Sequence, residues 1–216
     1  MSDDRKKRVL IWSALLIDGF EIFKIILMCF REQDSMYWVR LLPLFLCSIQ
    51  LITIPLAAFT KGRLKGACLD FVMIFGLIGA LMGTYFAGNN YAAYPVLCFD
   101  NVVSGITHCI AGFVSLYILF SGMTSMEKRN IPITMGILGA FCVAAYVVNS
   151  LTECNYMFLS QGDGTPYDIV YNFVGGNPVL YPLCVIGLFL VYIGGYYSVF
   201  FIIRKRKMEK VTCKIQ

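Results

Sequence analysis

The sequence predicts an all-α polytopic membrane protein: a bundle of six transmembrane helices, both termini cytoplasmic, forming one domain over residues 1–216. Three observations carry this reading. Of the 216 residues, 58% are hydrophobic and 14% charged, whereas soluble domains run near 25% charged. Mean hydropathy is +0.71. The apolar residues also fall in stretches of about 20, the length that crosses a hydrocarbon core.

The first stretch, 9–30, follows MSDDRKKR. It is too long for a secretory signal, carries Asp18, Glu21 and Lys24, and lacks a small-residue cleavage site, so it reads as a retained helix. The others are 41–59, 67–87, 101–122, 131–151 and 178–203. Their continuous apolar character excludes a β-barrel, which needs segments of about ten alternating residues. Six crossings leave short loops and no room for a separate soluble domain.

Basic residues set the orientation, because short loops rich in Lys and Arg stay in the cytoplasm. With both termini inside, the cytoplasmic face holds Arg5 to Arg8, then Lys61, Arg63 and Lys65, then Lys128 and Arg129, then the tail from Arg204 to Lys214. Outside fall Arg31 and Arg40. The formal charge of +5 is therefore gathered at helix ends, which argues against nucleic acid as a partner. The basic tail reads as a topology anchor, with an anionic-lipid site as the alternative. The expected location is the cell membrane. With a single histidine and no CxxC pair, no metal site or cofactor is expected.

The external loops, 88–100 and 152–177, contain no Lys or Arg but many aromatics, Asn and Gly. Much of this is the aromatic belt of a membrane interface. The longer loop exceeds a simple connection and suits a cap over an entrance. Whether Cys98 and Cys154 on this side form a disulfide stays open.

Polar side chains inside a span are costly in hydrocarbon and should face the bundle or a wet cavity. Asp18, Glu21 and Lys24 are spaced three apart on the first helix, so Glu21 and Lys24 are placed to pair. Rise per residue gives depths below the outer ends: about 9 Å for Cys47 and Lys24, about 14 Å for Gln50 and Glu21, and about 10 Å for His108. Asn149 is close to the outer end. Asn101, Ser104 and His108 lie on one helix face. A thiol and an imidazole at one depth suit nucleophilic chemistry: the thiolate attacks an acyl carbonyl while the imidazole serves as base and then acid. Cys184, at about 9 Å, is a rival in less polar surroundings.

Three segments, LPLFLC (residues 42–47), SGITHCIAGFVSLYILF (104–120) and CNYMFL (154–159), resemble in order and spacing the YwaF-type integral membrane proteins related to transmembrane protein 164. The resemblance covers nearly the whole chain from the second helix onward. It implies a six-helix membrane acyltransferase in which Cys47 carries the acyl group and His108 assists, with Asn155 and Tyr156 at the external mouth. The chain departs from the family pattern at Phe45 and Ser48, where His and Asp are frequent.

The sequence thus leaves three classes open. One is an enzyme moving an acyl chain to or from a membrane lipid or lipid-like substrate. Another is a small-molecule binding or transport subunit with Glu21, Lys24, Gln50 and His108 around its ligand. The last is a structural or regulatory protein. No protein partner is named by the sequence.

Overall fold

The computed structural model describes residues 2–32, 36–85, 95–124 and 126–212. Helix α1 runs Asp3–Glu32, starting earlier than its apolar stretch because Asp3 and Asp4 stabilise its positive N-terminal end. The long helices that follow are α3 (Gly62–Tyr85), α4 (Phe99–Ser121), α5 (Ile131–Leu151) and α7 (Leu180–Thr212). Between α2 and these lie short elements: α2 itself is Gln50–Phe59, and α6, Tyr167–Phe173, sits in the long loop before α7. No strand occurs among the described residues.

Among the described residues, four segments are long and apolar enough to cross a membrane: Gly62–Thr84, Phe99–Ser121, Lys128–Leu151 and Leu180–Arg206. The expected helix over 41–59 is the main difference. A 3-10 turn, Tyr37–Leu41, and a series of turns precede a helix of only ten residues. Pro43 supplies the reason, since a proline pushes the residue before it out of helical conformation; Leu42 is extended, with ψ 143°.

Helix α3 is the centre of the molecule. Every residue from Ala67 to Phe75 is buried, as befits a helix that is apolar on all sides and packed on all sides. Exposed Trp12, Phe30, Phe113, Phe120 and Val191 clothe the outer faces of the surrounding helices. Helices α3 and α4 approach through small residues. A Cβ on Gly76 would lie 2.9 Å from the Ala111 carbonyl oxygen, and one on Gly112 would lie 2.8 Å from Ala80 Cβ. Backbones that close gain dispersion contacts, which drive helix association where lipid competes for apolar surface.

At the opposite end from the long loop, Asp70 is fully buried and ties the helices together. Its carboxylate accepts hydrogen bonds from Tyr197 Oη (2.8 Å), Asn130 Nδ2 (2.9 Å) and the Thr124 hydroxyl. Unlike Asp18 and Glu21, Asp70 is not among the polar residues that the sequence points to. Replacing Asp70 by Ala strands three donors, each unsatisfied buried group costing about 1–3 kcal/mol. Thermal unfolding in detergent should therefore drop by about 3 kcal/mol or more for Asp70→Ala and by about 1 kcal/mol for Tyr197→Phe; equal stability of Asp70→Ala and the wild type refutes the network's role.

Candidate functional site

Cys47 lies in the turns leading into α2, where Ser48 N and Ile49 N donate to the Phe45 carbonyl and Gln50 N to the Cys47 carbonyl. His108 is near the middle of α4. Its Nδ1 lies 2.6 Å from the Ser104 carbonyl oxygen. A carbonyl only accepts, so Nδ1 bears the proton and Nε2 carries the lone pair of the neutral ring. Ser104 acts here through its backbone, with its hydroxyl 3.4 Å away.

Both residues pack on one stripe of α3. A Cβ at Gly79 would sit 3.3 Å from Cys47 Cβ, and one at Gly83 would overlap His108 Nε2. Residues four apart lie on the same helix face about 6 Å apart along the axis. The glycine spacing therefore seats the thiol-bearing turn and the imidazole next to each other along α3, where both line one chamber.

Together they wall a small chamber of about 20 Å³ of mixed lining, with Glu21, Ser48, Gln50 and Thr107 as its other polar residues beside Ile17, Leu51 and Ala111. A second, apolar cavity of about 430 Å³ lies on the other side of Cys47, lined by Phe45, Phe75, Met82, Phe158, Tyr167 and Tyr192 among others. Cys47 and Gly79 belong to both.

The remaining sequence-predicted residues fall into two groups. Lys24 pairs with Glu21 at 2.7 Å and approaches Asp100 at 3.7 Å, bracing α1 against the start of α4. Asn101, Asn149, Asn155 and Tyr156 line neither cavity and bond to backbone, although Asn155 and Tyr156 also border a further cavity of about 470 Å³ with Arg40, Phe45 and Cys154. Asn101 Nδ2 donates to the Pro95 carbonyl. Asn149 brackets Tyr156, donating to its carbonyl (3.0 Å) and accepting from its N–H (2.8 Å). Asn155 closes its own loop through the Gln161 carbonyl and the Ser160 N–H. The Tyr156 hydroxyl donates to the Val39 carbonyl (2.5 Å) and accepts from Leu42 N (3.1 Å). That pins the chain just before Pro43, five residues upstream of the thiol. Next to this anchor, Met157 and Phe158 both adopt positive φ, 54° and 55°, a strained state for residues with a Cβ, and both line the apolar cavity.

Cys184 is half-buried on α7 and lines neither cavity. Cys98 and Cys154 are free thiols. Gly79, Gly83 and Thr107 are not among the residues the sequence points to; the Gly-x-x-Gly-x-x-x-Gly spacing of residues 76–83 was the available signal.

These features define a multi-pass α-helical membrane protein with a cysteine and a histidine meeting at a cavity between its helices. The family model described as the TMEM164 family matches residues 2–203, and the chain belongs to that family. Comparison with curated proteins and with solved structures gives no match.

The Glu21–Lys24 pair has side chains only 13% and 12% exposed, so removing one partner leaves a poorly solvated charge. Lys24→Leu strips a cation from both Glu21 and Asp100 and should cost about 3–5 kcal/mol in detergent. Glu21→Leu should cost less, because Lys24 keeps Asp100. Thermal melts that rank the two variants in reverse order contradict this arrangement.

Proposed function

We propose that the protein is a membrane acyltransferase in which Cys47 takes an acyl chain from a phospholipid or related ester and passes it to a lysolipid hydroxyl. The single observation that carries this reading is the position of Cys47 between a chamber that holds polar groups and an apolar cavity. A thioester needs both surroundings at once: proton-transfer groups at the carbonyl and an apolar space for the chain.

In the proposed sequence, His108 Nε2 withdraws the thiol proton and the sulfur attacks the ester carbonyl carbon. Collapse expels the lysolipid oxygen, which takes that proton from the imidazole. The acceptor hydroxyl then delivers its proton to Nε2, attacks the thioester and releases Cys47. The Nδ1–H bond to the Ser104 carbonyl keeps the ring in the tautomer that can begin this cycle. Lipid-like substrates enter sideways, along the apolar cavity.

The alternative, a subunit that binds a small polar ligand, is less well supported. The chamber that Glu21, Gln50 and His108 line has about the volume of one water, too small for such a ligand.

The test is acylation of the purified protein by a long-chain p-nitrophenyl ester, followed by peptide mass spectrometry. The adduct should be a hydroxylamine-sensitive thioester on Cys47. Cys47→Ser should remove it and His108→Ala should reduce it by a factor of at least about 100, the lower end of the range for a general base, whereas Cys184→Ser should leave it unchanged. The Cys47/His108 double variant should be no worse than Cys47→Ser, since the two act as a unit. An adduct on another cysteine, or none, overturns the proposal.

We further propose six crossings with both termini cytoplasmic. The second crossing would consist of α2 and the turns before it, and α1, with its charges facing the bundle, would make the first. The distribution of basic residues supports this. A reporter fused after Gln216 should be active only on the cytoplasmic side; activity on the outer side reverses the topology.

A further inference from the structure

Two side-chain atoms at the chamber are buried without a hydrogen-bond partner: Gln50 Nε2 and His108 Nε2. Buried polar groups are nearly always paired, so each orphan calls for a reason. The two are complementary. His108 Nε2 is an acceptor, because the other ring nitrogen holds the proton. Gln50 Nε2 is a donor whose partner oxygen, Oε1, faces the Thr53 hydroxyl at 3.2 Å, which shares its one proton between Oε1 and the Ile49 carbonyl oxygen at 3.1 Å. Gln50 is 1% exposed and Thr53 is fully buried, so the amide is fixed in orientation by packing as well as by this bond. Both orphans belong to walls of a chamber of about 20 Å³ that Cys47 also lines, room for about one oxygen-sized guest.

Resting on the acyl-transfer reading above, we propose that Gln50 is the oxyanion donor of this site. When the Cys47 sulfur bonds to the acyl carbon, the carbonyl π electrons move onto oxygen. That oxygen carries a full charge in a poorly hydrated place and needs a fixed donor that costs no reorganisation. Gln50 Nε2–H supplies it. On collapse the C=O bond re-forms, the leaving oxygen departs with the proton held by His108, and the bond to Gln50 weakens. The second half-reaction passes through the same oxyanion before the thiolate leaves. Gln50 thus serves both steps and transfers no proton in either.

Two reactions at one thiol separate this role from a structural one. Acylation by p-nitrophenyl dodecanoate generates an oxyanion, while alkylation by N-dodecyl iodoacetamide displaces iodide directly at sulfur and generates none. Both carry the same chain into the same cavity. Gln50→Met keeps the length of the side chain without a donor. It should slow acylation of Cys47 by about 100-fold or more, and leave alkylation within about twofold of wild type. Thr53→Val, which frees the amide to rotate, should fall between the two in acylation and also spare alkylation. Unchanged acylation in Gln50→Met overturns the proposal, as does a parallel fall in both reactions, which marks a packing defect. Absence of acylation at Cys47 in the wild type, with alkylation intact, overturns the acyltransferase reading and this one with it.

Discussion

The site depends on how closely other parts of the chain approach α3. Gly76, Gly79 and Gly83 leave that helix bare along one face, and three different groups occupy the space: the Ala111 backbone, the Cys47 turn and the His108 ring. A side chain at any of the three displaces a neighbour. At Gly83 a methyl group overlaps Nε2 itself, so even alanine forces the imidazole from its seat. The same stripe that packs the bundle also sets the distance between a thiol and a base. Fold stability and site geometry here share one cause, the absence of three Cβ atoms.

The break before α2 is the second constraint. Within a bilayer, backbone outside a helix needs internal partners, and irregular segments survive only where protein or a cavity surrounds them. Here the stitching comes from the Tyr156 hydroxyl, which bonds Val39 and Leu42 on one side of Pro43, and from Phe45, whose carbonyl accepts two N–H groups on the other. Tyr156 is in turn held by Asn149 of α5. Residues far apart in the chain thus support a turn that no local interaction would maintain. A regular helix through residues 41–59 would instead carry Cys47 on an ordinary face, packed against a single neighbour.

Much of the bundle was legible because hydrophobic length is a strong signal: the bounds of α5 match its apolar stretch residue for residue, and α4 differs by two residues at its start and one at its end. Pro43 was visible as well, yet apolar content outweighed it in the reading of 41–59. For the site, rise per residue yields depth along each helix but leaves rotation about its axis undetermined. Glu21, Cys47, Gln50 and His108 were assigned similar depths and line one chamber in the structure. Asn101, Asn149, Asn155 and Tyr156 looked alike in sequence but are engaged by nearby backbone. Sequence shows that a polar residue needs a partner near a membrane boundary without showing whether that partner is a loop or a ligand. Asp70 sits toward the other end of α3, away from the outer polar group, so depth arithmetic centred on the thiol passed over it.

The polarity of the space around Cys47 bears on which acceptor the proposed enzyme would favour. Water reaching a thioester hydrolyses it, so a transferase must keep water scarce while admitting one hydroxyl. The chamber of about 20 Å³ does the first by size. The apolar cavity does the second by composition, because Phe45, Phe158 and Tyr167 offer little to a free water and much to a chain attached to the hydroxyl. Phe45 has a direct part in this. Its ring packs 5.0 Å from Tyr156 and 5.9 Å from Phe158, centre to centre. An imidazole there would bring a polar edge into the mouth of the cavity. With phenylalanine in place, the proposed mechanism assigns proton transfer to His108, and the lining beside the thiol suits an apolar chain.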